Sequence, residues 1–149
     1  MRLSTFSDYS LRVLLYLGER PSGLISIGEI AAWHEISESH LMKVVLHLGR
    51  CGYVQTVRGK GGGLRLAHPP AAIGLGEVLR QTETDFAMAD CFGTTYPCRI
   101  DGICRIKGVL REALQAMFLV LDSYTLADLL ADPDALPLAT PAREDARHA

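Results

Sequence analysis

The sequence predicts a mainly α protein with a small β-hairpin, and three observations carry that expectation. Short amphipathic helical stretches fill the first fifty residues. A pair of strand-like runs then brackets a glycine-rich tip, and a long helical seam follows near the C-terminal end.

In order, Ser7 to Gly18 reads as a first helix. Ser7 is the expected N-cap, Asp8 suits the positive helix start, and Leu11, Leu14, Leu15 and Leu17 supply apolar positions. Pro21, Ser22 and Gly23 make a turn. A second helix runs from Ser26 to His34, with Ser26 and Glu29 spaced as a capping box. Ser37 opens a third helix that ends by Gly52, with Leu41, Val44, Val45 and Leu48 on one stripe. Two short helices, a tight Glu35-Ile36 connection and a polar leading edge make a helix-turn-helix.

Tyr53 to Val57 and Leu64 to Ala67 read as strands around Arg58-Gly59-Lys60-Gly61-Gly62-Gly63. Directly after a recognition helix, this hairpin reads as the wing of a winged helix. A dinucleotide-binding loop would need a helix after its glycines, and here a second strand follows. Pro69-Pro70 ends the wing, and Ile73 to Thr82 makes a fourth helix.

From Ile103 to Leu130 the residues Ile103, Ile106, Leu110, Ala113, Met117, Val120 and Tyr124 step by three and four, as in a coiled-coil seam. Leu114, Phe118 and Leu121 widen the apolar face. Such a helix either packs against its copy in a second subunit or folds back on its own domain. The expected division is a winged-helix domain over 1–82, a cysteine loop over 83–104, a dimerisation helix over 105–131 and a disordered tail over 132–149.

Charge supports a nucleic-acid partner more through its placement than its sum. Residues 1–68 hold eight Lys or Arg against five acids, a surplus of +3. The remainder holds seven against twelve, −5, which restores the net −2 of the 149-residue chain. No apolar run approaches the ~20 residues that cross a bilayer, so no membrane partner is expected and the cytoplasm is the expected location. There thiols stay reduced. No C-x-x-C and no catalytic constellation is present, which argues against an enzyme.

Three of the four cysteines, Cys91, Cys98 and Cys104, fall as C-x6-C-x5-C in a loop marked by Gly93, Pro97 and Gly102. Structural zinc sites pair cysteines at closer spacing. The wider intervals suit an iron–sulfur cluster better, with zinc, redox thiols or no metal as the other readings. Asp90 and Asp101 adjoin the loop and are poor fourth ligands. Lys107 cannot serve while protonated, and the five histidines are scattered. Cys51, at the end of the third helix, reads as a structural thiol. Nothing in spacing singles out Asp8, which on its own reads as a first-turn acid.

The opening M-R-L-S-T-F-S-D-Y-S-L-R-V-L-L-Y-L, the segment I-S-E-S-H-L-M-K-V-V-L-H-L, the wing V-R-G-K-G-G-G-L-R-L-A and the loop A-D-C-F-G-T-T-Y-P-C-R-I-D-G-I-C-R occur in one order. Together they resemble the IscR/NsrR superfamily of bacterial winged-helix regulators over roughly residues 1–130. Within it the chain is most similar to the nitric-oxide-sensing branch. The cluster-assembly branch has a ligating histidine three residues after its third cysteine, where this chain has Lys107. An assembly-type regulator, or another redox-sensing winged-helix regulator, is the alternative.

The resemblance implies a homodimeric repressor of a palindromic double-stranded DNA operator, with nitric oxide as effector. It implies a cluster, 4Fe–4S rather than 2Fe–2S, on Cys91, Cys98 and Cys104, with Asp8 donated by the other subunit. Arg12, one turn after Asp8, would hold that carboxylate in place. Nitrosylation would release the Asp8 bridge and, with it, the DNA. For the DNA side, Ser39, His40 and Lys43 are expected in the major groove and Ser37 near a phosphate. Arg58 and Lys60 are expected at the minor groove, with Arg2 adding a phosphate contact.

Overall fold

In the computed structural model, residues 2–92 and 98–131 are described. The helices are α1 (Thr5–Gly18), α2 (Ile27–His34), α3 (Glu38–Arg50), α4 (Leu75–Thr82), α5 (Arg105–Asp122) and α6 (Leu126–Leu130). Strands β1 (Val54–Val57) and β2 (Gly63–Leu66) lie between α3 and α4. The expected tail over 132–149 and the loop centre over 93–97 lie outside the described residues.

One core joins the first four helices to the hairpin. Val13, Leu14, Tyr16 and Leu17 of α1 meet Ile30 of α2, with Leu41, Val44 and Leu48 of α3 and Leu64 of β2, all essentially buried. The stripe expected on α3 is therefore its inward face. Burying side chains of this size stabilises by ~1.5–3 kcal/mol each against leaving them exposed, so α3 is held rigidly with its other face outward.

The α2–α3 turn needs an abrupt reversal. Glu35 supplies it in the left-handed region (φ 53°), and Ile36 then tucks into the core. In the wing, β1 and β2 pair antiparallel with Val54 opposite Leu66 and Val57 opposite Gly63. Ile25 adds a third rung by exchanging backbone hydrogen bonds with Leu64 at 2.8 and 3.0 Å. At the tip, a Cβ on Gly62 would stand 2.2 Å from the Val57 carbonyl oxygen, so only glycine fits.

Three local expectations need correction. The first helix starts at Thr5, because Ser4 is the N-cap and its Oγ accepts from the Ser7 backbone N–H at 3.2 Å. Ser7 is instead fully buried, and its hydroxyl donates to Thr82 Oγ1 at 2.9 Å, tying α1 to α4. At α2, Ser26 caps the Glu29 N–H as expected, but the Glu29 carboxylate accepts from the Tyr16 hydroxyl rather than turning back.

The third correction concerns the long helix. It ends at Asp122, and Ser123 to Thr125 form a corner. Thr125 then starts α6 with a capping box to Asp128, and α6 folds back so that Leu126 is buried and Leu130 packs beside Gly18 of α1. The corner is pinned to α4, where Leu75 N–H donates to Tyr124 O at 2.9 Å and Leu126 N–H to Ile73 O at 2.8 Å. Just before it, Arg80 grips Asp122 with two hydrogen bonds of 2.7 Å and lies over the Phe118 ring. The pairing lowers the Asp122 pKa below the ordinary carboxylate range.

Helix α5 shows features of both packing alternatives. Leu110, Leu114, Phe118 and Leu121 are half-buried on the side toward the domain. No residue of α5 is fully buried, and Ile106, Val109 and Val120 remain exposed along the adjoining flank of the helix.

Candidate DNA interface and cysteine loop

The outward side of α3 exposes Ser39, Lys43 and Arg50 together with the apolar Met42 and Leu46, and the wing tip exposes Arg58 and Lys60. Ser37 occupies the N-cap position of α3 but makes no capping hydrogen bond; its exposed Oγ lies 3.4 Å from Ser39 Oγ. Ser39 and Lys43 point outward from the first two turns. His40 is exposed at the edge of that face, its ring 6.5 Å from the Tyr9 ring of α1. Helix α1 thus braces α3 from behind, helped by Phe6 edge-on to His47 at 5.3 Å.

Arg58 and Lys60 stand at the exposed wing tip, and neither forms an ion pair among the described residues. Gly59 and Gly61 flank Lys60 with φ of 102° and 77°, conformations that keep the tip tight and free of bulk. Lys60→Ala is expected to weaken binding to operator and random DNA alike and to lower the salt slope of log K by about one unit. Fluorescence anisotropy across a salt series checks this. Arg2 lies elsewhere: it lines a cavity of about 210 Å³ with Glu83, Asp85 and Phe86, not with α3 or the wing.

Cys91 lies in a 3₁₀ turn (Asp90–Phe92), Cys98 resumes the described chain, and Cys104 occupies the N-cap position of α5. All three are free and half-exposed, and Cys104 makes no side-chain cap. The Lys107 ammonium donates to Asp101 Oδ1, a contact that raises its pKa further. Lys107 therefore stays charged and cannot ligate a metal, and Asp101 is already engaged. This pairing was not legible, because residues six apart across a loop share no helical face.

Asp8 sits on α1 with its carboxylate about half-exposed. It accepts from Arg12 Nε at 3.0 Å, the pairing expected of residues one turn apart. The neighbouring His34 has its pKa lowered by burial and then by the Arg12 charge, which keeps the imidazole neutral. Among the described residues no three His, Cys, Asp or Glu side chains come together at metal-holding distance. Thiols have no attraction for one another, and metal ligands are commonly drawn together only by the metal itself. By chemistry the donor set fits: three uncommitted thiols of the soft type that holds iron–sulfur clusters.

Cys51 is separate from the loop. Its sulfur lies 3.5 Å from His47 Nε2, which is itself 2.7 Å from the Gln81 carbonyl oxygen, so the pair ties α3 to α4.

Comparison with known proteins agrees with this architecture. The HTH-type transcriptional regulator NsrR of Bacillus subtilis is 49% identical over 136 residues, spanning 90% of this chain and 93% of that protein. The regulator of the same name from Bacillus licheniformis is 47% identical over 136 residues, spanning 90% and 95%. Among solved structures, T. potens IscR superposes with a TM-score of 0.70 at 29% identity, over 87% of this chain and 86% of its own. The oxidised form of Staphylococcus aureus CymR gives 0.73 at 27%, over 90% and 99%. The relatives are regulators, not enzymes, and among the described residues no helix is long and apolar enough to cross a membrane. The Rrf2 family model, described as an iron-dependent transcriptional regulator, matches residues 3–132, and the chain belongs to that family.

Proposed function

We propose that the protein is a homodimeric repressor whose grip on a palindromic operator depends on an iron–sulfur cluster and is lost on exposure to nitric oxide. The observation that carries this is the set of three uncommitted thiols, Cys91, Cys98 and Cys104, at the head of a helix whose outer side is apolar and exposed. Likeness to the NsrR regulators, and the resemblance of the loop to the nitric-oxide-sensing branch, favour this reading.

In this account residues 1–82 read DNA, 83–104 hold the cluster, and α5 (Arg105–Asp122) carries the dimer contact, since α6 is folded back on the chain's own first helix. Ile106, Val109 and Val120 meet their copies, because an apolar stripe of this length is stabilised by leaving water. Cys91, Cys98 and Cys104 of one subunit supply three thiolates to a cluster of the 4Fe–4S type, and Asp8 of the other supplies a carboxylate. When bound, the cluster supplies iron that reacts with nitric oxide. Asp8 is a hard, weakly held ligand beside three soft ones. Arg12 orients its carboxylate and receives it back when the bridge between subunits is lost.

The chain's own contacts carry the consequence to DNA. Helix α1 braces α3 through Phe6–His47 and Tyr9–His40, and it is tied to α4 through Ser7–Thr82. A shift of α1 therefore moves α3. Two recognition helices must match major grooves ~34 Å apart, so a small rotation abolishes the match. On the DNA side Ser39, His40 and Lys43 face the major groove, Ser37 sits near a phosphate, and Arg58 and Lys60 take the minor groove. Arg2, beside Glu83 and Asp85 and away from α3 and the wing, takes no part in this footprint.

Asp8→Ala is the test of the bridge. Anaerobically purified variant is expected to retain coloured protein but to need a different ratio of nitric oxide to release DNA. A titration and release profile identical to wild type would rule out the bridging role.

A further inference from the structure

Met42 and Leu46 lie on α3, outside its buried stripe, and are 58% and 56% exposed. Single exposed apolar side chains on a protein surface are ordinary. These two are one turn apart, on the same outward arc as Ser39, Lys43 and Arg50, which at 100° per residue spans roughly a quarter of the helix circumference. The buried Leu41, Val44, Val45 and Leu48 fix that arc toward solvent, and no other element of the described chain covers it. The surrounding surface is basic, with Lys43 and Arg50 on the helix and Arg58 and Lys60 on the wing.

A helix presenting cations beside aliphatic groups matches the major groove in both respects. Phosphates meet the cations. Aliphatic side chains cannot hydrogen-bond to base edges, and the apolar group displayed on the floor of the groove is the thymine C5-methyl. A basic rim also disfavours a second copy of the same surface, since like charges would face each other.

From this placement we infer that Met42 and Leu46 read thymine methyl groups in the operator and so set part of its sequence preference. The inference rests on the DNA-binding reading and adds to the polar contacts assigned to Ser39, His40 and Lys43. Met42, nearer the N-terminal end that enters the groove, carries the larger share. Its unbranched thioether adapts to the methyl without a fixed geometry.

The experiment uses the full-length, anaerobically purified protein and a duplex that it selects itself from a randomised library. Each thymine in the selected consensus is replaced by uracil, which removes the C5-methyl and nothing else. Binding is measured for wild type, Met42→Ala and Leu46→Ala. For wild type, uracil at one or more positions is expected to weaken binding by about fourfold per methyl, or ~15-fold when both half-sites are changed. In Met42→Ala or Leu46→Ala the thymine duplex is itself bound more weakly, and uracil at the matching position has no further effect.

Binding to random-sequence DNA and its salt slope stay at the wild-type value, because no charge is removed. Uracil tolerated at every position, or costing the same in both variants as in wild type, overturns the inference while leaving DNA binding intact. A changed oligomeric state in Met42→Ala by sedimentation also overturns it, by marking the surface as a protein contact. Selection that yields no consensus would overturn the DNA reading itself, and this inference with it.

Discussion

Cys104→Ser protein, purified without oxygen, is expected to be colourless, with iron and acid-labile sulfide at background levels. Its operator affinity is expected to be the same with and without nitric oxide. The substitution changes one atom, but a serine hydroxyl is a poorly acidic, hard donor where a thiolate is needed. Misfolding does not offer a competing explanation. Cys104 is half-exposed at the N-cap position of α5 and makes no capping hydrogen bond, and serine is among the preferred residues there. Thermal unfolding of Cys104→Ser should therefore match that of cluster-free wild type. A brown Cys104→Ser protein with normal iron would remove this residue from the ligand set.

The second large effect concerns the outer side of α5. Ile106→Asp combined with Val120→Asp is expected to give a monomer by sedimentation equilibrium and to weaken operator binding about a thousandfold, to the level of non-specific binding. Both side chains are exposed in the single chain, so charge there has little to disrupt unless a partner covers them. Paired across a dimer contact, the four added carboxylates would be desolvated near one another, which is strongly unfavourable. The side of α5 toward the domain, where Arg80 holds Asp122 and Phe118 meets Phe86 at 4.8 Å, is untouched by these changes. A dimeric variant with normal operator affinity would place the subunit contact elsewhere.

The parts of the fold that were legible are those written in local periodicity. The stripe Leu41, Val44, Val45 and Leu48 gave the inward face of α3, and the glycine-rich tip between two apolar runs gave the wing. What escaped depends on contacts between residues far apart in sequence. Ser4 and Ser7 are both plausible caps by type, and the choice is made by Thr82, 75 residues away, which takes the Ser7 hydroxyl into the interior. The corner at Ser123 to Thr125 had a local signal, Thr125 followed by Asp128 as a capping box. The three-four stepping through Tyr124 masked it, because a seam and a corner use the same apolar residues until packing separates them.

The candidate site was legible to different degrees. Three cysteines in one loop are conspicuous in any reading. The spacing of Asp8 and Arg12 predicts their pairing, which the structure contains, but the role of Asp8 as a ligand came from resemblance alone. The Asp101–Lys107 and Arg80–Asp122 pairs carry no sequence signal, since each joins residues brought together by the fold. Met42 and Leu46 were not singled out from the sequence, and their meaning follows only once α3 is seen to be uncovered on that side.

The most direct test measures operator affinity of the oxygen-free protein before and after stoichiometric nitric oxide, with its visible absorption recorded in the same samples. The account predicts tight binding by the brown protein, and loss of specific binding in step with the change in the spectrum. Equal affinity across the intact, nitric-oxide-treated and cluster-stripped protein would contradict it.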